Sequence, residues 1–147
     1  ALSSAASDVY KRQLERDMEP YRAIKKLASV MTAHVSYEAY HGELATFSST
    51  LLKKVLREEL GFDGLIFSDD LSMKAAVVDT IVDRAEHALK AGCDMVLICN
   101  HPEEADELLA GLKWTRPKDF DRRFDRLRPQ AAQAPKTLAQ AKAVLLA

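Results

Sequence analysis

Residues 61–73 read GFDGLIFSDDLSM, an apolar run entered through two glycines and closed by Asp69 and Asp70 side by side. Leu65, Ile66 and Phe67 in unbroken succession predict a short strand covered on both faces, as in a parallel sheet, rather than a half-exposed alternating strand. In parallel α/β sheets the loops that carry chemistry begin at the carboxyl ends of the strands, where the following helix N-termini also point. Asp69 falls at that place. Two acids in succession on extended backbone point to opposite faces, which disfavours a proton-sharing dyad; one is expected to face a pocket while the other caps or pairs. Spacing alone leaves a plainer alternative open, in which Ser68, Asp69 or Asp70 only caps the next helix and complements its dipole.

The flanking sequence extends the pattern in both directions. Upstream, SSTLLKKVLREELG predicts a helix capped by Ser48 or Ser49, with Leu51, Leu52, Val55, Leu56 and Leu60 as its buried stripe and Gly61 as a left-handed terminator. Before it, ASVMTAHV reads as a buried strand, SYEAYHGELATF as loop, and RDMEPYRAIKKL as a short helix with Met18, Tyr21, Ile24 and Leu27 three apart. Downstream, SMKAAVV and TIVDRAEHALKAG read as helix ending at Gly92, and CDMVLICN as a third strand. PEEADELLAGL opens a further helix on Pro102 and two acids, and PKDFDRRFDRLRP and TLAQAKAVLLA supply the last two. Because its basic residues alternate with acids, PKDFDRRFDRLRP is expected to be a solvated amphipathic helix. Strands separated by helices imply an α/β fold with parallel pairing and right-handed crossovers. With three strands, two are edges whose N–H and C=O groups lack partners unless other strands complete the sheet.

Composition removes several classes of function. At 147 residues the chain suits one domain but is well short of the about 250 residues of a closed eight-stranded α/β barrel. Hydrophobic residues at 48% are enough for a core, and 21 basic against 22 acidic residues provide no field favouring nucleic acid or an anionic membrane. No apolar run approaches the roughly 20 residues that span a bilayer. Cys93 and Cys99, six apart, would share one face of a strand and be reduced core thiols, so a cytoplasmic location is expected. Residues 1–13 are small, polar and aperiodic, and SAASDVYKRQ resembles translated sequencing-adapter sequence; they are expected to be a non-native or disordered leader to a domain over 14–147.

LREELGFDGLIFSDDLSMKAA, together with VMTAHV, ATFSSTLLKKVL and AGCDMVLICN, closely resembles bacterial glycoside hydrolase family 3 β-N-acetylglucosaminidases, the cytoplasmic enzymes of cell-wall recycling. The resemblance runs from about residue 14 to about residue 112. It implies that these strands are the last three of a TIM-type (β/α)8 barrel, followed by extra C-terminal helices. In the family the first acid of the segment matching FSDD is the nucleophile, which carries over to Asp69. The implied reaction is retaining hydrolysis of terminal N-acetylglucosamine from 1,6-anhydro-muropeptides, without metal or organic cofactor. The family also carries a Lys-His-Phe-Pro-Gly-His-Gly segment that binds the sugar and a loop with an Asp-Ser-His unit whose His is the acid/base; neither occurs in this sequence. Negligible turnover by this chain alone is therefore expected.

Three further residues are candidates for substrate binding. His34 ends the first strand and matches a family position near the pocket, although a packed or backbone-bonded imidazole fits it better. Met73 follows the acids closely enough to border the pocket or to fill the core. Asn100 ends the third strand and either faces the mouth or serves turn chemistry before His101 and Pro102. His41, His87 and His101 show no metal-ligand spacing. The competing reading, from a different class, is a non-catalytic half-barrel that self-associates to cover its sheet edges.

Overall fold

The computed structural model describes residues 12–13, 15–24, 27–40, 42–76, 80–128 and 137. Much of the leader, His41, the end of SMKAAVV and nearly all of TLAQAKAVLLA lie outside the described residues. Helix α1 spans Glu19–Ala23, strand β1 Ser29–Met31, a wide helix Thr50–Glu59, β2 Leu65–Asp70, α2 Ile81–Ala91, β3 Met95–Leu97, α3 Pro102–Gly111 and α4 Phe120–Asp125. Single 3₁₀ turns at Glu38–Tyr40, Ala45–Phe47 and Lys74–Ala76 fill the loops. The strands lie in the order β1-β2-β3 and both pairings are parallel, so spatial order follows chain order without a reversal.

Helix Thr50–Glu59 is wound more loosely than the α-helix its sequence predicts. The Leu60 N–H donates to the Val55 carbonyl, five residues back, at 2.9 Å. Leu52, Leu56 and Leu60 repeat every fourth residue, a spacing that drifts around an ordinary α-helix but keeps to one side of a wider turn. Leu52 and Val55 are buried on it. Gly61 then stops the helix at φ +65°, the left-handed conformation expected of it.

Leu52 of that helix and Ile81, Ala85, Ala88 and Ala91 of α2 pack with Ile66 of β2 in one core, joined by Val30 and Val96. Both crossovers therefore cover the face of the sheet that carries Val30, Ile66 and Val96. The opposite face carries Met31, Phe67 and Met95, in register with one another, and Met31 is 64% exposed. Continuous apolar strands predicted helical cover on both faces; among the described residues it lies on one. Thr80 begins α2 through a capping box, its hydroxyl accepting from the Asp83 N–H at 3.2 Å while the Asp83 carboxylate accepts from Thr80 N–H at 3.2 Å.

At the amino ends of the strands the sequence reading needs correction. Helix α4 is not a merely solvated helix: its arginines close onto acids that precede β2 and β3. Arg122 makes a two-pronged ion pair with Asp63, and Arg123 reaches Asp94 at 3.0 Å. Asp94 also accepts from Arg57 at 2.5 Å and from the Ile66 N–H at 2.9 Å, with its side chain 2% exposed. Burial lowers the Arg57 pKa from its ordinary value, and Asp94 opposes that shift. The apolar stripe of α1 also differs from expectation. Tyr21 and Ile24 are half exposed and, with Leu27, Leu56 and Leu60, line a cavity of about 190 Å³ at this same end.

Asp63 supplies a pH signature. Donation from Arg122 holds its carboxyl at about 2, below its ordinary 3.8, against the opposing effect of burial. A carboxyl whose folded pKa is depressed stabilises the fold above its unfolded pKa and ceases to do so as pH falls through the folded one. Thermal unfolding is expected to lose a stabilising contribution between roughly pH 4 and pH 2, and Asp63→Asn should remove that contribution at neutral pH and flatten its acid dependence. The side chain is 47% exposed, so solvent screening keeps the effect modest.

The two cysteines diverge from the expectation of two core thiols on one strand face. Strand β3 covers only Met95–Leu97, so the alternation of a strand does not extend to either of them. Cys93 is buried and its thiol is pushed up to about 12 by burial, whereas Cys99 is exposed; both are free.

Candidate functional site

Asp69 stands in the carboxyl-terminal half of β2, where the backbone ladder is interrupted. Phe67 pairs with Met95 and Asp70 with Leu97, so three steps along β2 face two along β3 and β2 carries one extra residue. Such a bulge re-aims side chains next to active sites. Side-chain hydroxyls take over the hydrogen bonding on both flanks. Ser68, fully buried, accepts the Leu97 N–H on its Oγ at 2.9 Å, and Thr32 Oγ1 accepts the Asp69 N–H at 3.0 Å. The Thr32 hydroxyl is itself 2.9 Å from that of Thr46, which is 0% exposed.

The two acids divide as their strand geometry requires. The Asp69 carboxylate is held by two backbone donors, the His34 N–H on Oδ2 at 3.1 Å and the Asp70 N–H on Oδ1 at 2.8 Å. A carboxylate accepts through about four lone-pair sites, so each oxygen keeps one for chemistry. Asp70 is instead engaged in local structure. Its Oδ1 accepts from the Ser72 N–H at 3.0 Å, the Ser72 hydroxyl at 2.7 Å and the Cys99 N–H at 3.1 Å, tying the turn after β2 to the end of β3. Burial works to raise the Asp70 carboxyl, but donation from Ser72 and Cys99 outweighs it and the pKa lies below the ordinary value.

Of the sequence-predicted companions, His34 is brought against Asp69. Its ring Nε2 is 2.9 Å from the Asp70 carbonyl oxygen and its plane stacks on Phe47 at 5.8 Å. Met73 is exposed on the turn after β2, where its N–H donates to the Asp70 carbonyl at 3.2 Å. Asn100 is exposed beyond β3 at φ +61°, a left-handed conformation that asparagine tolerates in turns, immediately before the helix opened by Pro102. Sequence reasoning missed Thr32, Thr46 and Ser72 and offered Ser68 only as a helix cap, whereas its hydroxyl bonds to β3; these roles become informative only once the strand register is known. Among the described residues, no group of three or more His, Cys, Asp or Glu is placed to hold a metal ion. Nor is any helix among them long and apolar enough to cross a membrane.

The chain as a whole has counterparts among known proteins. The glycosyl hydrolase family 3 N-terminal domain matches residues 4–127. The chain belongs to glycosyl hydrolase family 3. Within that family it is 54% identical over 101 residues to a beta-hexosaminidase from Methylobacillus flagellatus, covering 67% of this chain and 29% of the relative. It is 48% identical over 122 residues to the beta-hexosaminidase of Thiobacillus denitrificans, covering 81% and 34% respectively. The fold is similar to that of NagZ from Neisseria gonorrhoeae in complex with N-trifluoroacetyl-D-glucosamine, with a TM-score of 0.76 and 34% identity over 92% of this chain and 41% of that one. This family 3 chain thus spans about a third of the length of the curated relatives it matches.

Proposed function

We propose that this chain contributes the nucleophile of a retaining exo-β-N-acetylglucosaminidase, and that Asp69 is that nucleophile. The observation that carries the reading is the Asp69 carboxylate itself, at the carboxyl end of a parallel strand and held by two backbone N–H groups with lone pairs to spare. An unreversed order of parallel strands, with both crossovers on one face, supports reading them as three consecutive strands of a (β/α)8 barrel, whose active sites open at the carboxyl ends. On that reading the exposed face bearing Met31 and Phe67 belongs to the barrel interior. The similarity to beta-hexosaminidases and to a NagZ bound to a glucosamine derivative supports an amino-sugar substrate.

In the first step an Asp69 oxygen bonds to the anomeric carbon as the glycosidic bond breaks, through an oxocarbenium-like transition state. The departing oxygen takes a proton from a general acid, and water then hydrolyses the ester to release the sugar with its configuration retained. In the family the general acid is the histidine of the Asp-Ser-His loop, which this sequence does not contain. General acid–base assistance contributes about 10²–10⁴-fold, and losing the Lys-His sugar contacts removes positioning as well. We accordingly propose that the isolated chain turns over negligibly, and that the complete protein cleaves terminal N-acetylglucosamine from 1,6-anhydro-muropeptides in cytoplasmic cell-wall recycling.

Assays with p-nitrophenyl N-acetyl-β-glucosaminide test both halves. The 147-residue chain should release no more product than its Asp69→Ala variant. A completed chain, in which the family's sugar-binding segment and histidine loop precede residue 14 on their own strands, should be active. Turnover by the isolated chain above its Asp69→Ala control would contradict the first half, and an inactive but folded completed chain the second. Exposed Met31 and the outer sides of β1 and β3, which have no strand partner among the described residues, favour a second reading, self-association of the isolated chain, which light scattering would reveal as oligomers.

A further inference from the structure

We infer that His34 is a positioning residue for Asp69, acting as a two-point clamp across the bulge. The inference rests on reading Asp69 as the nucleophile, and it assigns His34 a task other than contact with the sugar. Its main-chain N–H holds Asp69 Oδ2 at 3.1 Å, while its ring Nε2 lies 2.9 Å from the carbonyl oxygen of Asp70, the very next residue. One residue, through its backbone and its ring, therefore holds both the Asp69 carboxylate and the Asp70 carbonyl, at the point where the extra residue of β2 has broken register with β3. A bulged strand end twists more readily than a regular one, and misplacement of the carboxylate by about 1 Å can cost 10²-fold in rate.

The surroundings of the ring dictate how the clamp works. A carbonyl oxygen only accepts, so Nε2 carries the proton. Nδ1 is buried and has no hydrogen-bond partner among the described residues, which suits a bare lone pair better than a second N–H. Stacking on Phe47, which in turn meets the edge of His87 at 6.5 Å, fixes the ring plane. A phenylalanine at position 34 would keep that stacking but lose the donor, whereas a glutamine offers an amide N–H on a chain of similar reach.

Heteronuclear NMR on the ¹⁵N-labelled 147-residue chain, in mildly alkaline buffer, tests this without reading turnover. The wild-type spectrum should show the Nε2–H tautomer of His34. Hydrogen exchange at the residue-34 amide should accelerate about tenfold or more in His34→Phe, with the core amides of Ile66 and Leu97 still protected, and should slow again in His34→Gln. An Nδ1–H tautomer in the wild type overturns the proposal, as does unchanged residue-34 exchange in the phenylalanine variant or failure of glutamine to restore it. If the phenylalanine variant does not fold, the wild-type tautomer still decides. A correct tautomer and glutamine rescue alongside an inactive completed chain would discard the nucleophile assignment while leaving the clamp in place.

Discussion

Replacing Asp69 with alanine in the completed chain is expected to lower kcat/KM for p-nitrophenyl N-acetyl-β-glucosaminide by on the order of 10⁴-fold or more. The loss should fall on kcat, because a nucleophile, the role proposed for Asp69, forms its bond only on the way to the transition state and contributes little to holding the sugar beforehand. Added azide should restore part of the rate by occupying the space left by the side chain, and the glycosyl azide formed should have inverted configuration, since a single displacement replaces two. Asp70 provides the internal contrast. Its carboxylate is occupied by Ser72 and Cys99, so Asp70→Asn, which keeps an acceptor oxygen there, should retain far more activity than Asp69→Asn.

The second large effect is structural. Asp94→Ala is expected to destabilise the chain by about 3–5 kcal/mol, because it leaves two guanidinium groups in a buried setting without their shared carboxylate. Arg57 and Arg123 are each 15% exposed at the side chain and both meet Asp94, which in addition caps the Ile66 N–H at the start of the central strand. Urea unfolding should show the shift in midpoint. Asp94→Asn, retaining an acceptor for Ile66 but not the charge, should fall between wild type and alanine. An alanine variant within about 0.5 kcal/mol of wild type would place Asp94 among ordinary surface positions.

That network shows where the sequence stops being readable. The buried stripe of helix Thr50–Glu59 and its arrest at Gly61 are local signals, decided within one or two turns of chain. The position of Asp69 near the carboxyl end of a strand was also legible, because an apolar run followed by acids implies a strand and its exit. By contrast, Arg123 finds Asp94 across 29 residues and Arg122 finds Asp63 across 59, so the arginines of α4 looked merely solvated while their partners were unknown. The bulge is hidden for the same reason. Nothing in FSDD announces an extra residue, which exists only relative to the register of β3. Cys99 was misplaced because the apolar run CDMVLICN is longer than the strand it contains.

Trapping the glycosyl-enzyme tests the central claim most directly. The completed chain would be incubated with a slowly deglycosylating fluorinated N-acetylglucosaminide and digested with trypsin, which cuts after Arg57 and Lys74. Residues 58–74 should then carry one added sugar, and fragmentation should place it on Asp69. A label on Asp63 or Asp70, or a fully active enzyme that never acquires one, would contradict it.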